Sequence, residues 1–166
     1  NSAIQIDTSE FIPIYYKSKL VVGVEKMPYP KLFNLLEGVI LNLGGTTGSR
    51  GTQEYRETFK HTTDAIRIAP VICYESVYGE YVTDYIKNGA NFIFVITNDG
   101  WWGNTPGYKQ HLNYSQIRAI ETRRSIARSA NTGISAFINQ KGEILNKTDW
   151  WVPAVIKNTL KANTEY

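Results

Sequence analysis

One cysteine, one methionine and two histidines are all that this 166-residue chain carries of those types. A single cysteine excludes an intrachain disulfide and leaves the redox compartment open. His61 and His111 are too few and too isolated to form a metal site with Cys73. No apolar run approaches the ~20 residues that cross a bilayer, and these residues contain no signal peptide. The net charge is only +3 and the basic residues are scattered, so the dense basic patch of a nucleic-acid binder is missing. The one methionine, Met27, is internal, and the chain begins at Asn1. That reads as a processed product or a piece of a longer protein, whose other segments, membrane spans included, would lie outside it.

What is present is globular in character. Hydrophobic residues make up 42% and charged residues 20%, ordinary values for a globular fold, and the length suits one domain with one core. Residues 11–16 are β-branched and aromatic and predict a strand. An irregular arm follows over residues 17–25. Pro28 and Pro30 precede an amphipathic helix predicted over residues 31–43, and Gly44, Gly45, Gly48 and Gly51 then punctuate a loop. Further strands are predicted over residues 54–60, 65–72 and 91–97. A helix over residues 77–87 stops at Asn88-Gly89, a C-cap signal. The longest predicted helix runs over residues 108–129, with Leu112, Ile117, Ile120 and Ile126 on one face and Arg118, Glu121, Arg123, Arg124 and Arg128 supplying charge. A hairpin turns at Asn139-Gln140-Lys141-Gly142 between strands at 134–138 and 143–147, another strand is predicted over 153–160, and the tail is polar. Strands alternate with helices early and end in a hairpin, an order that predicts an α/β sandwich with a mixed sheet.

The chemistry is concentrated at strand ends. Pro70-Val71-Ile72-Cys73-Tyr74-Glu75 carries an apolar run into a thiol and a carboxylate two positions apart. A strand end fixes a side chain while the following loop opens a cleft, and a thiol there is a nucleophile if a neighbour favours the thiolate. The plain alternative is a buried structural cysteine. Lys17, at the end of the first predicted strand, could lower the thiol pKa and stabilise an oxyanion, or be an ordinary solvated lysine. Residues i and i+2 of an extended segment face the same side, so Glu75 is placed in the cleft with Cys73, within reach of Lys17. Glu25 is a candidate only because it shares the arm of Lys17. Asn98-Asp99-Gly100-Trp101-Trp102-Gly103 follows a buried strand directly. Asn98, Asp99, Trp101 and Trp102 are read from it as substrate-binding residues, against the alternative of indoles that merely cap the core. The charged residues of the long helix read as a solvated face with ion pairs of little energy.

These motifs together resemble the carbon–nitrogen hydrolase (nitrilase) superfamily, and within it the apolipoprotein N-acyltransferase branch. Tyr16-Lys17 with Glu25 eight positions on is similar to that family's lysine arm. The segment ending at Cys73-Tyr74-Glu75 is similar to its nucleophile strand. Residues 98–103, Gln110-His111-Leu112, Arg118-Ala119-Ile120-Glu121 and Arg128-Ser129-Ala130-Asn131-Thr132-Gly133 continue the likeness. Soluble members usually have aspartate two positions after the cysteine, where this chain has Glu75.

The resemblance implies an α-β-β-α sandwich of which only the C-terminal part is present. It implies acyl transfer from a phospholipid to the N-terminal amine of a diacylglyceryl-cysteine lipoprotein, through a thioester on Cys73. Lys17 and a backbone N–H near Tyr74 would stabilise the oxyanion, with Glu75 and Glu25 in support and no metal or organic cofactor. It also implies a bacterial inner-membrane protein with this domain on the periplasmic side, held to the membrane by segments outside the chain. The family's general-base glutamate precedes the lysine. Here only Asp7 and Glu10 do, in no matching motif, so the chain alone is expected to be catalytically silent. A soluble amidase that releases the same thioester to water, and a non-catalytic fragment, are the alternatives.

Overall fold

The computed structural model describes residues 1–22, 25, 52–61 and 65–165. The helix predicted over residues 31–43 and the glycine-rich loop after it lie outside them. Six strands form the main sheet in chain order: β3 (Phe59–Lys60), β4 (Arg67–Ile72), β5 (Phe92–Asn98), β6 (Ser125–Asn131), β7 (Ala136–Ile138) and β8 (Ile144–Lys147). The centre, β4-β5-β6, is parallel, and the flanking pairs are antiparallel. Parallel neighbours need long crossovers. These are supplied by α1 (Gly79–Lys87) between β4 and β5, and α2 (Pro106–Thr122) between β5 and β6. The mixed α/β architecture predicted from the order of elements is the one observed.

Along β5 the pleat separates two faces. Ile93 and Val95 are buried, whereas Phe94 and Ile96 are 39% and 48% exposed. Val71 and Arg128 lie in register with Val95, and Arg128 reaches Ser115 of α2, so the helices cover the Ile93 face. Buried Ala69, Val71, Ile126 and Ile138 complete that side of the core with Tyr81, Val82 and Tyr85 of α1 and Leu112 of α2. A separate two-stranded ladder, β1 (Ser2–Ile4) with β2 (Ile14–Tyr16), seats Tyr15 edge-on against Tyr85, 6.0 Å between ring centroids.

Several predicted boundaries move, and the strands predicted over residues 54–60 and 134–138 shorten to Phe59–Lys60 and Ala136–Ile138. The strand predicted over residues 11–16 is pared to its last three positions and pairs with a first strand that sequence reading missed. The helix predicted over 108–129 stops at Thr122, because Arg123 adopts a left-handed conformation (φ 53°) that an arginine can take but does not advertise. The residues beyond it become β6 rather than a helix face. Residues 153–160 form no strand. The turn at 139–142 is as predicted: Gly142 takes φ 79°, and its N–H donates to the Asn139 carbonyl at 3.0 Å.

Candidate active site

Cys73 is the first residue after β4 and opens a short 3₁₀ turn, Cys73–Val77. Its φ is 53°, a region costing roughly 1 kcal/mol or more for a residue with a Cβ. Such strain persists where the surroundings enforce it, and it concentrates at functional sites. The turn lifts Cys73 out of the sheet into a cleft of about 420 Å³. Lys17, Glu25, Tyr74, Asn98, Trp101 and Trp102 line the same cleft. Six of the eight other residues singled out in the sequence therefore meet the thiol in one place.

Glu75 does not. The sequence reading continued the extended backbone through residue 75 and so put this carboxylate beside Cys73. The 3₁₀ turn rotates it into the interior instead, fully buried. There it accepts hydrogen bonds from the Tyr15 and Tyr81 hydroxyls (both 2.8 Å), from Ser18 N–H (2.6 Å) and Lys19 N–H (3.4 Å), and from Ile72 N–H (2.8 Å). Burial, and then the Glu75 charge, hold both phenols above their usual pKa, so they stay neutral donors. Glu75 thus ties the backbone just after Lys17 to the backbone just before Cys73, without touching the lysine amine.

The amine belongs to Glu25. Lys17 Nζ donates to both oxygens of that carboxylate, at 2.9 and 2.7 Å, and Lys17 is only 1% exposed. Val21 N–H donates to Glu25 Oε2 at 2.9 Å, and the Asn1 amide donates to Oε1. A bidentate, nearly buried pair of this kind fixes a flexible side chain in one rotamer. The solvated-lysine alternative is excluded by this burial.

The loop after β5 also splits from its predicted role. Trp101 and Trp102 lie in a short 3₁₀ turn, Gly100–Trp102, and are 66% and 45% exposed at the cleft. The indole of Trp102 covers Gly107, where a Cβ would come within 2.5 Å of the ring. Asn98 lines the cleft. Asp99, read with it as a substrate ligand, is buried, and both its oxygens are engaged. Oδ1 accepts from Thr97 Oγ1 (2.9 Å) and bonds His111 Nδ1 (2.8 Å), while Oδ2 takes Arg128 Nη2 at 2.5 Å. A Cβ at Gly133 would lie 2.6 Å from Oδ2, so this close approach requires glycine.

His111 and Arg128 are the residues that sequence reading missed. In the sequence His111 enters as a possible metal ligand, which its isolation argues against, and as part of the family-like Gln110-His111-Leu112 segment, with no role attached. Arg128 was placed on a solvated helix face with Arg118, Glu121 and Arg123. Arg118 and Glu121 do pair on that helix, at 2.9 Å, but Arg128 is buried in β6. The available signals were the family likeness of residues 128–133 and an arginine in the middle of a short β-compatible segment, which the helical periodicity overrode. Among the described residues, no three of His, Cys, Asp and Glu converge as metal ligands.

Burial works against the Asp99 charge, but the bond to His111 and the Arg128 charge outweigh it and hold the carboxyl below its usual range. Its contribution to stability is therefore complete above about pH 3.8 and is lost as pH falls through the lower folded value. Asp99→Asn should destabilise the protein at neutral pH, and the deficit should narrow on the acid side of that value. Urea unfolding of both proteins across this range measures it, and a pH-independent difference would contradict the assignment.

Among known proteins, the carbon–nitrogen hydrolase family model matches residues 1–165. Curated apolipoprotein N-acyltransferases are similar: that of Chlorobaculum tepidum is 36% identical over 87% of this chain, and that of Rhizobium rhizogenes 32% identical over 99%. The chain spans only 28% and 30% of their lengths. In fold it is similar to the carbon–nitrogen hydrolase of Helicobacter pylori (TM-score 0.62, 14% identity, 89% of this chain and 52% of that one). It is likewise similar to an amidase of Nesterenkonia sp. carrying an acetamide moiety covalently added at its active-site cysteine (TM-score 0.57, 15% identity, 86% and 47%). A thiol at the end of a parallel strand, a buried lysine arm beside it, and a family match over the whole described length agree: the chain belongs to the carbon–nitrogen hydrolase family.

Proposed function

We propose that this chain is the C-terminal part of the catalytic domain of a membrane-bound N-acyltransferase. Its reaction transfers an acyl chain from a phospholipid to the N-terminal amine of a diacylglyceryl-cysteine lipoprotein. The observation that carries the reading is the convergence of Cys73 and the buried Lys17 on one apolar-walled cleft. Similarity to N-acyltransferases over most of the chain supports the choice of substrates. The rest of the domain, its general base and its membrane spans belong to the parts of the protein outside these residues. The working location is the bacterial inner membrane, with the domain on the periplasmic side, and the chemistry calls for no cofactor. No helix among the described residues is long and apolar enough to cross a membrane.

In the first half-reaction the general base takes the Cys73 proton and the thiolate attacks the ester carbonyl, forming the S–C bond. The tetrahedral oxyanion is met by the Lys17 ammonium and the Tyr74 N–H. Collapse breaks the C–O bond, and the lysophospholipid alcohol leaves with the proton from the base. In the second, the lipoprotein amine attacks the thioester, the amide forms, its surplus proton passes to the base, and the thiol is restored. Glu25 keeps Lys17 aimed, and Glu75 keeps the arm against the nucleophile strand.

Incubating the full-length protein with phospholipid alone should give an acyl adduct on Cys73 by mass spectrometry, discharged by a diacylated lipopeptide to an amide. An adduct discharged only by water would favour an amidase, and no adduct on Cys73 would overturn the reading. The isolated 166-residue chain, without the base, should not turn over. Trp102→Ala should raise the KM for phospholipid more than it lowers the unfolding temperature, because an exposed indole at the cleft supplies apolar contact area rather than core. A collapse in stability with unchanged KM would assign it to the core instead.

A further inference from the structure

Behind the cleft, the nucleophile's own carbonyl is held by a buried polar relay. Ser76 Oγ donates to the Cys73 carbonyl at 2.8 Å. His111 Nε2 lies 3.1 Å from that hydroxyl and 3.2 Å from the same carbonyl oxygen, and Nδ1 is anchored 2.8 Å from Asp99. Arg128 and Thr97 fix Asp99 in turn. Ser76 and Asp99 are essentially inaccessible, and His111 is 4% exposed. Yet His111 also lines the cleft. These contacts exceed what packing requires, and they end on one peptide plane, that of Cys73 and Tyr74.

We infer that His111, anchored by Asp99, is a positioning residue that sets the oxyanion donor through Ser76 and the Cys73 carbonyl. In a trans peptide the C=O and N–H point in opposite directions within one plane. Holding the Cys73 carbonyl toward His111 and Ser76 therefore aims the Tyr74 N–H the other way. Hydrogen bonds to the carbonyl also polarise the peptide and strengthen its N–H as a donor. The same grip maintains the left-handed conformation of Cys73 (φ 53°), which the residue would not keep by itself. His111 touches no reacting atom in this scheme. The inference rests on Cys73 being the nucleophile, and it adds residues that the thioester mechanism leaves unused.

Two reactions of the same thiol separate this role from a structural one. Acylation of Cys73 by p-nitrophenyl butyrate passes through a tetrahedral oxyanion, and alkylation by iodoacetamide does not. In the full-length protein, His111→Ala should slow the acylation burst at saturating ester by about 10- to 100-fold, part of the loss expected for an oxyanion donor. The KM for the ester and the alkylation rate should stay close to wild type. Ser76→Ala, a smaller change at a buried site, should show the same selective loss, and His111→Gln should recover much of it because its amide can bond Ser76. Wild-type acylation in His111→Ala and Ser76→Ala, or equal slowing of acylation and alkylation, would overturn the inference. If Cys73→Ala still gives the burst, the nucleophile assignment itself has failed; if Cys73→Ala is silent while His111→Ala and Ser76→Ala keep wild-type acylation, only the positioning role has.

Discussion

Replacing Cys73 with alanine in the full-length protein should abolish the acyl adduct and reduce acyl transfer by about 10⁴-fold or more, the scale on which a covalent catalytic unit fails when one member is lost. Cys73→Ser should be nearly as damaging, because a hydroxyl at this position offers no accessible anion near neutral pH and needs far more help from a base than a thiol does. Neither variant should unfold the protein. The side chain is only partly buried, and the hydrogen bonds from Ser76 and His111 go to its backbone carbonyl. Cys73→Gly supplies the complementary control. Glycine adopts φ 53° without the Cβ penalty, so this variant should match or exceed the stability of Cys73→Ala by about 1 kcal/mol while remaining equally inactive. Intact-mass detection of the adduct, steady-state transfer to a lipopeptide and chemical unfolding measure the three quantities. Retained turnover in Cys73→Ala would show that the nucleophile lies elsewhere.

Glu75→Ala should produce the largest combined loss of stability and activity. Five donors converge on this fully buried carboxylate, three of them backbone N–H groups. A buried donor left without a partner costs about 1–3 kcal/mol. Partial relaxation, including the mutual contact of the Tyr15 and Tyr81 hydroxyls, brings the expected total to roughly 3–5 kcal/mol. Because Ser18 and Lys19 directly follow Lys17, the arm should loosen first. Hydrogen exchange over residues 15–22 should therefore quicken more than exchange in β5, and acylation should fall even in protein that remains folded. Glu75→Gln keeps the volume but presents an amide to donors that need an acceptor, and should give a similar pattern at smaller size. If Glu75→Gln keeps wild-type exchange in the arm while activity disappears, the carboxylate acts on the reaction directly rather than through the arm.

The class of fold is legible in the sequence, and so are Cys73 and six of the residues that line its cleft, whereas the burial of Glu75 and the anchoring of His111 by Asp99 and Arg128 are not. The apolar runs within residues 65–72 and 91–97 read as strands, and Asn88-Gly89 and Asn139 to Gly142 mark a helix end and a hairpin through conformations that few other residues accept. Cys73 and Lys17 stand at predicted strand ends, but position alone leaves each a plain alternative, a buried cysteine and a solvated lysine, and it is their place in the family's motifs that marks them as chemistry. Tertiary structure alone decided what each carboxylate does. A single 3₁₀ turn after Cys73 broke the alternation that would have put Glu75 in the cleft, and the burial of Asp99 converted an apparent substrate ligand into the anchor of His111. It also decided where α2 ends, since the left-handed turn at Arg123 has no glycine to announce it and the helical period runs on across β6. Local pattern records which face a residue would take if its element continued. Whether the element continues depends on contacts from distant segments, here the hydroxyls of Tyr15 and Tyr81 and the guanidinium of Arg128, and no window of sequence contains them.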